Sequence, residues 1–467
     1  MVKNCELFKF VLIKLRDILD IMDVVRRNYL LPGEKRDIFI EWMKDMLNHS
    51  FVLNLPSTFG ETFTFVETLI DEHRRNGVSS RLSKAVPGMG RVHTPLPLRR
   101  AYEEYDKKYC ITQRKFIRPS FNEIRHIVNL AQVMEIGKNL KLISFDGDQT
   151  LYSDGGNFEP DSSLSNALKE LLKAGVYVAV VTAAGYGLVG SKYEVRIGTL
   201  LKYLQDEGLT KTELEQFYVM GGECNYLLNC SVLEETTEAG ELVQRARLVP
   251  VLPEVWQAPV LVGPKPAFWD KDEVNRVLDV AEKIMKGCIE DLHLRVQFVR
   301  KERAIGMFPG GPKMVAQVPV GHGSNKVKRE ALDEIVFMLK EGLQQAQPPV
   351  ELPYCVFNGG RDVWLDIGNK SVGVAAMQAY LNISPDSCLY VGDQFLNTGN
   401  DIAARAVSPC IWISNPSETG KILQHVLKQY GLGDKVTGEP ATAVPSSASA
   451  SSSAPTGVFN AFTGQMS

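Results

Sequence analysis

Two carboxylates two residues apart, Asp146 and Asp148, close a short apolar run in the stretch LISFDGDQTLYSD, Leu142 to Asp154. In an extended chain, alternate residues point to one side, so both acids face the same way. Two acids pressed together cost free energy unless a cation or a shared proton relieves them. Thr182 follows the β-rich run VYVAVV (Val176–Val181), and Lys370 sits in Gly368-Asn369-Lys370-Ser371 at a predicted helix start. A second acidic pair, Asp393 and Asp401, lies in GDQFLNTGND after the predicted strand Ser387 to Val391. Together these groups supply what phosphoryl transfer from a monoester needs, since positioning and charge stabilisation do most of that chemistry. Asp146 is the expected nucleophile, and Asp148 the group that gives a proton to the leaving alkoxide and then takes one from water. Thr182 and Lys370 are the expected phosphate contacts. Mg²⁺, which seeks oxygen ligands, would take carboxylates from Asp146 and Asp393 and the backbone carbonyl of Asp148, with Asp401 supporting them from behind.

Each part alone is weak: D-x-D pairs occur in turns, threonines after strands are often helix caps, and G-D is ordinary turn chemistry. Their order on four separate strand–helix units argues against coincidence. The surrounding elements read as an α/β fold with a parallel sheet, whose ligands gather at the carboxyl ends of the strands. Pro160-Asp161-Ser162 announces a helix with Leu164, Ala167, Leu168, Leu171 and Leu172 on its apolar stripe, ended by Gly175. Val176–Val181 is apolar throughout, as a parallel strand buried on both faces should be.

Around this core the sequence divides into four parts. Residues 1–125 read as a helical amino-terminal region serving packing, oligomer contacts or regulation. Residues 126–225 and 351–435 read as a Rossmann-like catalytic core, with strands at Tyr354–Phe357 and Val363–Ile367 resuming its sheet. Residues 226–350 read as an inserted α+β cap, lying between the Thr182 and Lys370 motifs. From 436 to 467, Ser, Ala, Thr, Pro and Gly fill 23 of 32 positions, too little apolar surface to fold, so a disordered tail is expected. Residues 84–125 carry ten Lys/Arg against four Asp/Glu. That block is either a solvated or intersubunit surface or an anion site for a regulatory nucleotide, with Arg114 and His126 as the residues to watch.

Composition narrows the classes. A net charge of −3 gives no argument for nucleic acid or membrane binding. Eight scattered cysteines, with no C-x-x-C pair, argue against a disulfide framework or a structural zinc site and suit a reducing compartment. No apolar run approaches the ~18 residues that span a bilayer, and the amino terminus reads as an amphipathic helix, so the cytosol is the expected location.

FDGDQT, VVT, GNKSVG and VGDQFLNTGND resemble the four motifs of the haloacid dehalogenase superfamily of aspartyl-phosphate phosphatases. Within it, SFDGDQTLYSDGGNF and GGRDVWLDIGNKSVGV closely resemble the IMP-specific 5′-nucleotidase family, over residues 1 to about 435. The resemblance implies a haloacid-dehalogenase core and Mg²⁺-dependent hydrolysis of inosine 5′-monophosphate, with the roles of Asp146, Asp148, Thr182, Lys370 and Asp393 as above. It places Asp154 and Asp362 toward the nucleotide, and implies a tetramer activated by ATP. Read from its own position, Asp154 is either a turn-stabilising acid or an acceptor for ribose hydroxyls, and Asp362 beside Arg361 is a salt bridge or a ligand contact. Phe268, Trp269, Arg295 and Arg303 are candidates for stacking or base contact. Two rival readings keep the motifs: a capped sugar-phosphate phosphatase or phosphomutase, distinguished by a substrate panel, and a non-catalytic nucleotide sensor, which has no need of Asp148.

Overall fold

The computed structural model describes residues 36–52, 58–160, 162–236, 240–257, 270–309 and 327–432. The expected tail at 436–467, the first helical stretch, Phe268 and Trp269 lie outside them. Helices dominate the amino-terminal part, as expected: α1 (Ile38–Val52), α2 (Phe59–Asn76), α3 (Leu98–Tyr109) and α4 (Phe121–Ile136). They share one apolar cluster in which Met43, Leu47, Phe63, Ile70, Leu98 and Ile127 are buried. Ser120 starts α4 with a capping box closed by Glu123, two otherwise orphaned N–H groups being satisfied at once.

Eleven strands of the described residues form two sheets. β1 (Leu142–Phe145), β2 (Tyr177–Val181), β3 (Phe217–Gly221), β4 (Tyr226–Thr236) and β5 (Leu242–Pro250) enter the first. β6 (Val296–Arg300), β7 (Ala304–Pro309), β8 (Tyr354–Asn358) and β9 (Val363–Ile367) make the second. β10 (Cys388–Gly392) and β11 (Cys410–Trp412) return to the first, whose order is β11-β10-β1-β2-β3-β4-β5. The pairings from β11 to β3 are parallel, and β4 and β5 extend that sheet antiparallel. β1 therefore sits where the winding reverses, with β2 on one side and β10 on the other, the crevice position at which α/β sheets bind ligands.

Helices cover both faces. α5 (Ser163–Lys173), capped by Ser162, and α6 (Gly190–Asp206) bury Leu164, Leu168, Ile197 and Leu200 against Ile143, Phe145, Val178 and Val180. Each such leucine contributes about 1.5–3 kcal/mol through its removal from water. In the second sheet, α7 (Lys271–Asp291) and α8 (Arg329–Gln344) bury Val277, Leu278, Ile335 and Leu339 with Ile305, Val356 and Leu365. On the other face of the first sheet, α9 (Lys370–Tyr380) packs Val374 and Met377 against Ala179, Val181 and Tyr390. α10 (Pro416–Gln429) packs on α5 and α4, and its Leu423 and Val426 are buried in the same cluster as the α5 leucines.

Strand pairing corrects the expected boundaries at two places. Residues 226–250, assigned by sequence to the inserted cap, form β4 and β5 of the first sheet. Residues 354–367, expected to resume the core sheet, form β8 and β9 of the second. Connection length is the physical reason. Four residues separate β3 from β4 and β8 from β9, enough for a hairpin but too few for the crossover that parallel neighbours require. The second sheet does lie between the Thr182 and Lys370 motifs, as expected.

Candidate active site

The end of β1 gathers residues of all four motifs into one buried cluster. Asp146 is 6% exposed, and its N–H donates to Val391 O of β10 at 2.9 Å. Lys370, fully buried at the first position of α9, donates from Nζ to Asp146 Oδ1 at 2.5 Å and to the Val181 carbonyl at the end of β2. Asn369 accepts from the Val372 N–H and caps that helix, which sets where the lysine leaves the backbone. Asp401 Oδ1 is 3.8 Å from Nζ and accepts from the Tyr390 hydroxyl, while its Oδ2 accepts from Gln394 N–H at 2.8 Å.

Thr182 directly follows β2, is 4% exposed, and its Oγ1 accepts from Ala184 N–H at 3.1 Å. An ideal Cβ on Gly147 would lie 3.4 Å from that Oγ1 but only 2.5 Å from the Tyr152 hydroxyl. A side chain between the two aspartates would therefore collide with Tyr152, and the glycine is required by space. Asp148 is half-buried, its Oδ1 accepting from Gly155 N–H at 3.0 Å. Arg196 pins the same turn by donating to the carbonyls of Gly155 and Gly156.

Electrostatics distinguish these acids. Burial and the neighbouring Asp146 push the Asp148 carboxyl up, against Gly155 N–H and Arg196. That is the direction a proton donor needs near neutral pH. Burial, then Asp401 and Asp146, hold Asp393 above the ordinary carboxylate range. Although burial disfavours its ammonium, Lys370 is held above the ordinary lysine value by Asp146, Glu223 and Asp401.

One ammonium does not balance this many acids. Asp146, Asp393 and Asp401 each offer an oxygen, the three lying within 4.8 Å of one another. Asp393 Oδ1 is buried with no hydrogen-bond partner among the described residues. An orphaned carboxylate oxygen beside two other acids fits a hard divalent cation such as Mg²⁺, which takes oxygen ligands and removes the repulsion. The donor set suits the group the sequence implied.

The two acids expected to face a nucleotide lie at the edge of this cluster. Asp154 is exposed, with Oδ2 at 3.6 Å from Arg361 Nε. Asp362 is half-buried; burial pushes its carboxyl up, Trp364 and Lys301 oppose this, and Asp154 adds to it. Asp154 and Asp362 thus approach one another from the two sheets, with Arg361 paired to the first. Arg303 donates to Asn225 Oδ1 at 2.8 Å and stacks over Tyr226, while Arg295 is exposed. Arg114 makes a two-point pair with Glu123, and His126 Nε2 lies 2.9 Å from Glu418 Oε1 beside Arg125. Both residues of the basic block therefore have acid partners within the chain.

Sequence reasoning missed three contributors. Trp412 donates from Nε1 to the Asp393 carbonyl at 2.9 Å, and its own backbone is gripped by Asn129 of α4 through bonds of 2.7 and 3.1 Å. Tyr152 closes over Gly147, and Glu223 lies fully buried near Lys370. Only GGECN, with two glycines and an acid at a strand end, carried any signal.

Comparison with known proteins gives this cluster a family. The family model described as IMP-specific 5′-nucleotidase matches residues 23–423. A protein of that name from Yarrowia lipolytica is 37% identical over 432 residues, covering 86% of this chain and 96% of the relative. Its counterpart from Plasmodium falciparum is 34% identical over 400 residues, 84% of each chain. The structure of the IMP-bound, N-terminally truncated Plasmodium falciparum IMP-nucleotidase is similar with a TM-score of 0.74, covering 86% of this chain and 98% of that one at 34% identity. The ATP-bound Plasmodium falciparum structure gives a TM-score of 0.69 at 34% identity, covering 84% and 85%. The chain belongs to the IMP-specific 5′-nucleotidase family and is, with it, a phosphoric monoester hydrolase.

Proposed function

We propose that this protein hydrolyses inosine 5′-monophosphate to inosine and phosphate through an aspartyl phosphate on Asp146, with Mg²⁺ as cofactor and ATP as activator. The observation that carries the reading is the buried Asp146–Lys370 pair at the switch-point strand, beside an Asp393 oxygen that lacks a partner among the described residues. Family membership supports the substrate.

In the first step Asp146 attacks phosphorus and the bond to O5′ breaks, while Asp148 gives its proton to the departing alkoxide. Lys370 occupies Oδ1 of the nucleophile and no described protein group hydrogen-bonds to Oδ2, which leaves that oxygen for attack. In the second step Asp148 takes a proton from water as it attacks the aspartyl phosphate, releasing phosphate and restoring Asp146. Thr182 and Lys370 orient the phosphoryl oxygens, and the raised pKa of Asp148 suits its first role. Asp146 and Asp393, with the Asp148 carbonyl, would hold Mg²⁺, and Asp401 would support them. Bound there, the cation supplies charge neutralisation on phosphoryl oxygens and nucleophile.

Asp154 and Asp362 would receive the nucleoside, with the second sheet and its helices acting as the specificity cap. Discrimination against AMP follows if the site pairs with hypoxanthine N1–H and O6, because the analogue then leaves buried polar groups unpaired. The amino-terminal helices, with Arg114 and His126, would form the regulatory and tetramer-forming region; an ATP-bound relative supports a nucleotide effector. None of the described helices is long and apolar enough to cross a membrane. The test is phosphate release from a panel of nucleoside and sugar monophosphates, with and without ATP at saturating free Mg²⁺. IMP should be preferred and ATP should change its kinetics; better hydrolysis of sugar phosphates, or equal kinetics with and without ATP, defeats the corresponding part.

A further inference from the structure

The turn GGECN between β3 and β4 has no place in the mechanism above, yet it meets three of the four motifs that surround the phosphate site. Glu223 adopts a left-handed backbone (φ 64°), which is uncommon for a residue with a side chain. Its N–H donates to Thr182 O at 2.8 Å. Its carbonyl oxygen lies 2.2 Å from where a Cβ on Gly373 would stand, so the first turn of α9, which carries Lys370, packs directly on this backbone. The side chain is fully buried, and Oε1 accepts from Asn400 Nδ2 at 3.0 Å while Oε2 has no partner among the described residues.

Asn400 is the penultimate residue of the acid loop, Gln394 to Asp401. That loop is closed on itself by Asp401, which accepts from Gln394 N–H and donates its own N–H to Gln394 O at 3.1 Å. From the side of the second sheet it is held by Lys340 Nζ on Asn397 O at 2.6 Å and Asn358 N–H on Thr398 O at 2.8 Å. The bond from Asn400 to Glu223 ties it to β3, in addition to its covalent continuity with β10. A carboxylate is an expensive way to fill buried space, because desolvation costs several kcal/mol and an apolar side chain of that length has no such penalty. Filling space alone therefore does not account for a hydrogen-bonding side chain here.

We propose that Glu223 is a positioning residue for hydrolysis: through Asn400 it sets the acid loop against Thr182 and the lysine helix, and so holds Asp393 and Asp401 where a divalent cation needs them. The inference rests on the cation-dependent reading given above. It adds to the site a residue outside the four motifs, which acts on the acids through its hydrogen bond to Asn400, as the supporting partners of metal ligands do.

Direct Mn²⁺ binding, read from the EPR signal of free Mn²⁺ during titration of the full chain, tests it alongside steady-state kinetics. E223A and N400A should each weaken Mn²⁺ binding by about 10–100-fold and lower kcat over a similar range, the usual cost of losing an outer-shell partner. KM for the monoester should move much less. E223Q, which keeps the acceptor at the same length, should restore Mn²⁺ binding to near the wild-type value. The double variant E223A/N400A should be no worse than the more impaired single one, since both break one link. Should E223A fail to fold, N400A and E223Q read the same bond from its two ends. Unchanged Mn²⁺ binding in folded E223A or N400A overturns the proposal, as does an E223Q chain as impaired as E223A. A wild-type chain with no Mn²⁺ binding that D393A removes would refute the cation reading itself, and the inference with it.

Discussion

Replacing Asp393 by asparagine should stabilise the metal-free protein while abolishing its activity. Asp393 Oδ1 is buried without a partner among the described residues, and Asp146, Asp393 and Asp401 each place an oxygen within 4.8 Å of the other two. Burial and those two neighbouring acids push the Asp393 carboxyl pKa up, so ionising it in the folded chain is unfavourable without a cation. An asparagine amide of the same shape removes the charge and donates to the adjacent carboxylates. Relief of an unsatisfied buried acceptor is worth about 1–3 kcal/mol. At on the order of 2 °C per kcal/mol for a chain of this size, D393N in EDTA should melt a few degrees above wild type. Mg²⁺ should raise the wild-type Tm, because a ligand that binds only the folded state stabilises it, and should leave D393N unmoved. A D393N chain that melts below wild type in EDTA, or that keeps its response to Mg²⁺, refutes the assignment of this cluster as a cation site.

Two other substitutions follow from the same geometry. G147A forces a Cβ to within 2.5 Å of the Tyr152 hydroxyl and should reduce kcat by about 10²-fold through misplacement of the two aspartates. Adding Y152F should recover part of that loss, and no recovery would refute the steric explanation. Glu418 is pushed up by burial, but hydrogen bonds from His126, Arg125 and Ser414 hold it down to about 2 against an ordinary 4.5. Its stabilisation is therefore complete above pH 4.5 and lost as pH falls toward 2; discounted for solvent screening, it amounts to about 1–2 kcal/mol. E418Q should be less stable than wild type at pH 7 by about that amount, with the gap closing on acidification in urea titrations; a gap independent of pH would contradict this.

The four motifs were legible because each lies where local chemistry and position coincide. The run before Asp146, the apolar VYVAVV before Thr182 and the Asn369 cap before Lys370 are strand ends and helix starts by their own composition. The structure brings Lys370 within hydrogen-bond reach of both Asp146 and the Val181 carbonyl at the end of β2. Sheet membership was less legible. β8 and β9 have the buried apolar pattern of core strands, and only the four residues between them argue for a hairpin. Glu223 and Trp412 escaped for another reason: the groups they meet, Asn400 and the Asp393 carbonyl, lie 177 and 19 positions away along the chain. Tyr152 is close to Gly147 in sequence, but its approach to that glycine depends on how the intervening turn folds back. No window of neighbouring residues contains that information.

The central claim is that Asp146 carries the phosphoryl group. The direct test is rapid acid quench of the wild-type chain during turnover of ³²P-labelled IMP with Mg²⁺, followed by proteolysis and location of the label. The account predicts an acid-stable, hydroxylamine-labile label on the peptide containing Asp146, absent from D146N, which should fold normally and not turn over. Wild-type turnover in D146N, or a first turnover of wild type that releases inosine with no label ever on the protein, would contradict it.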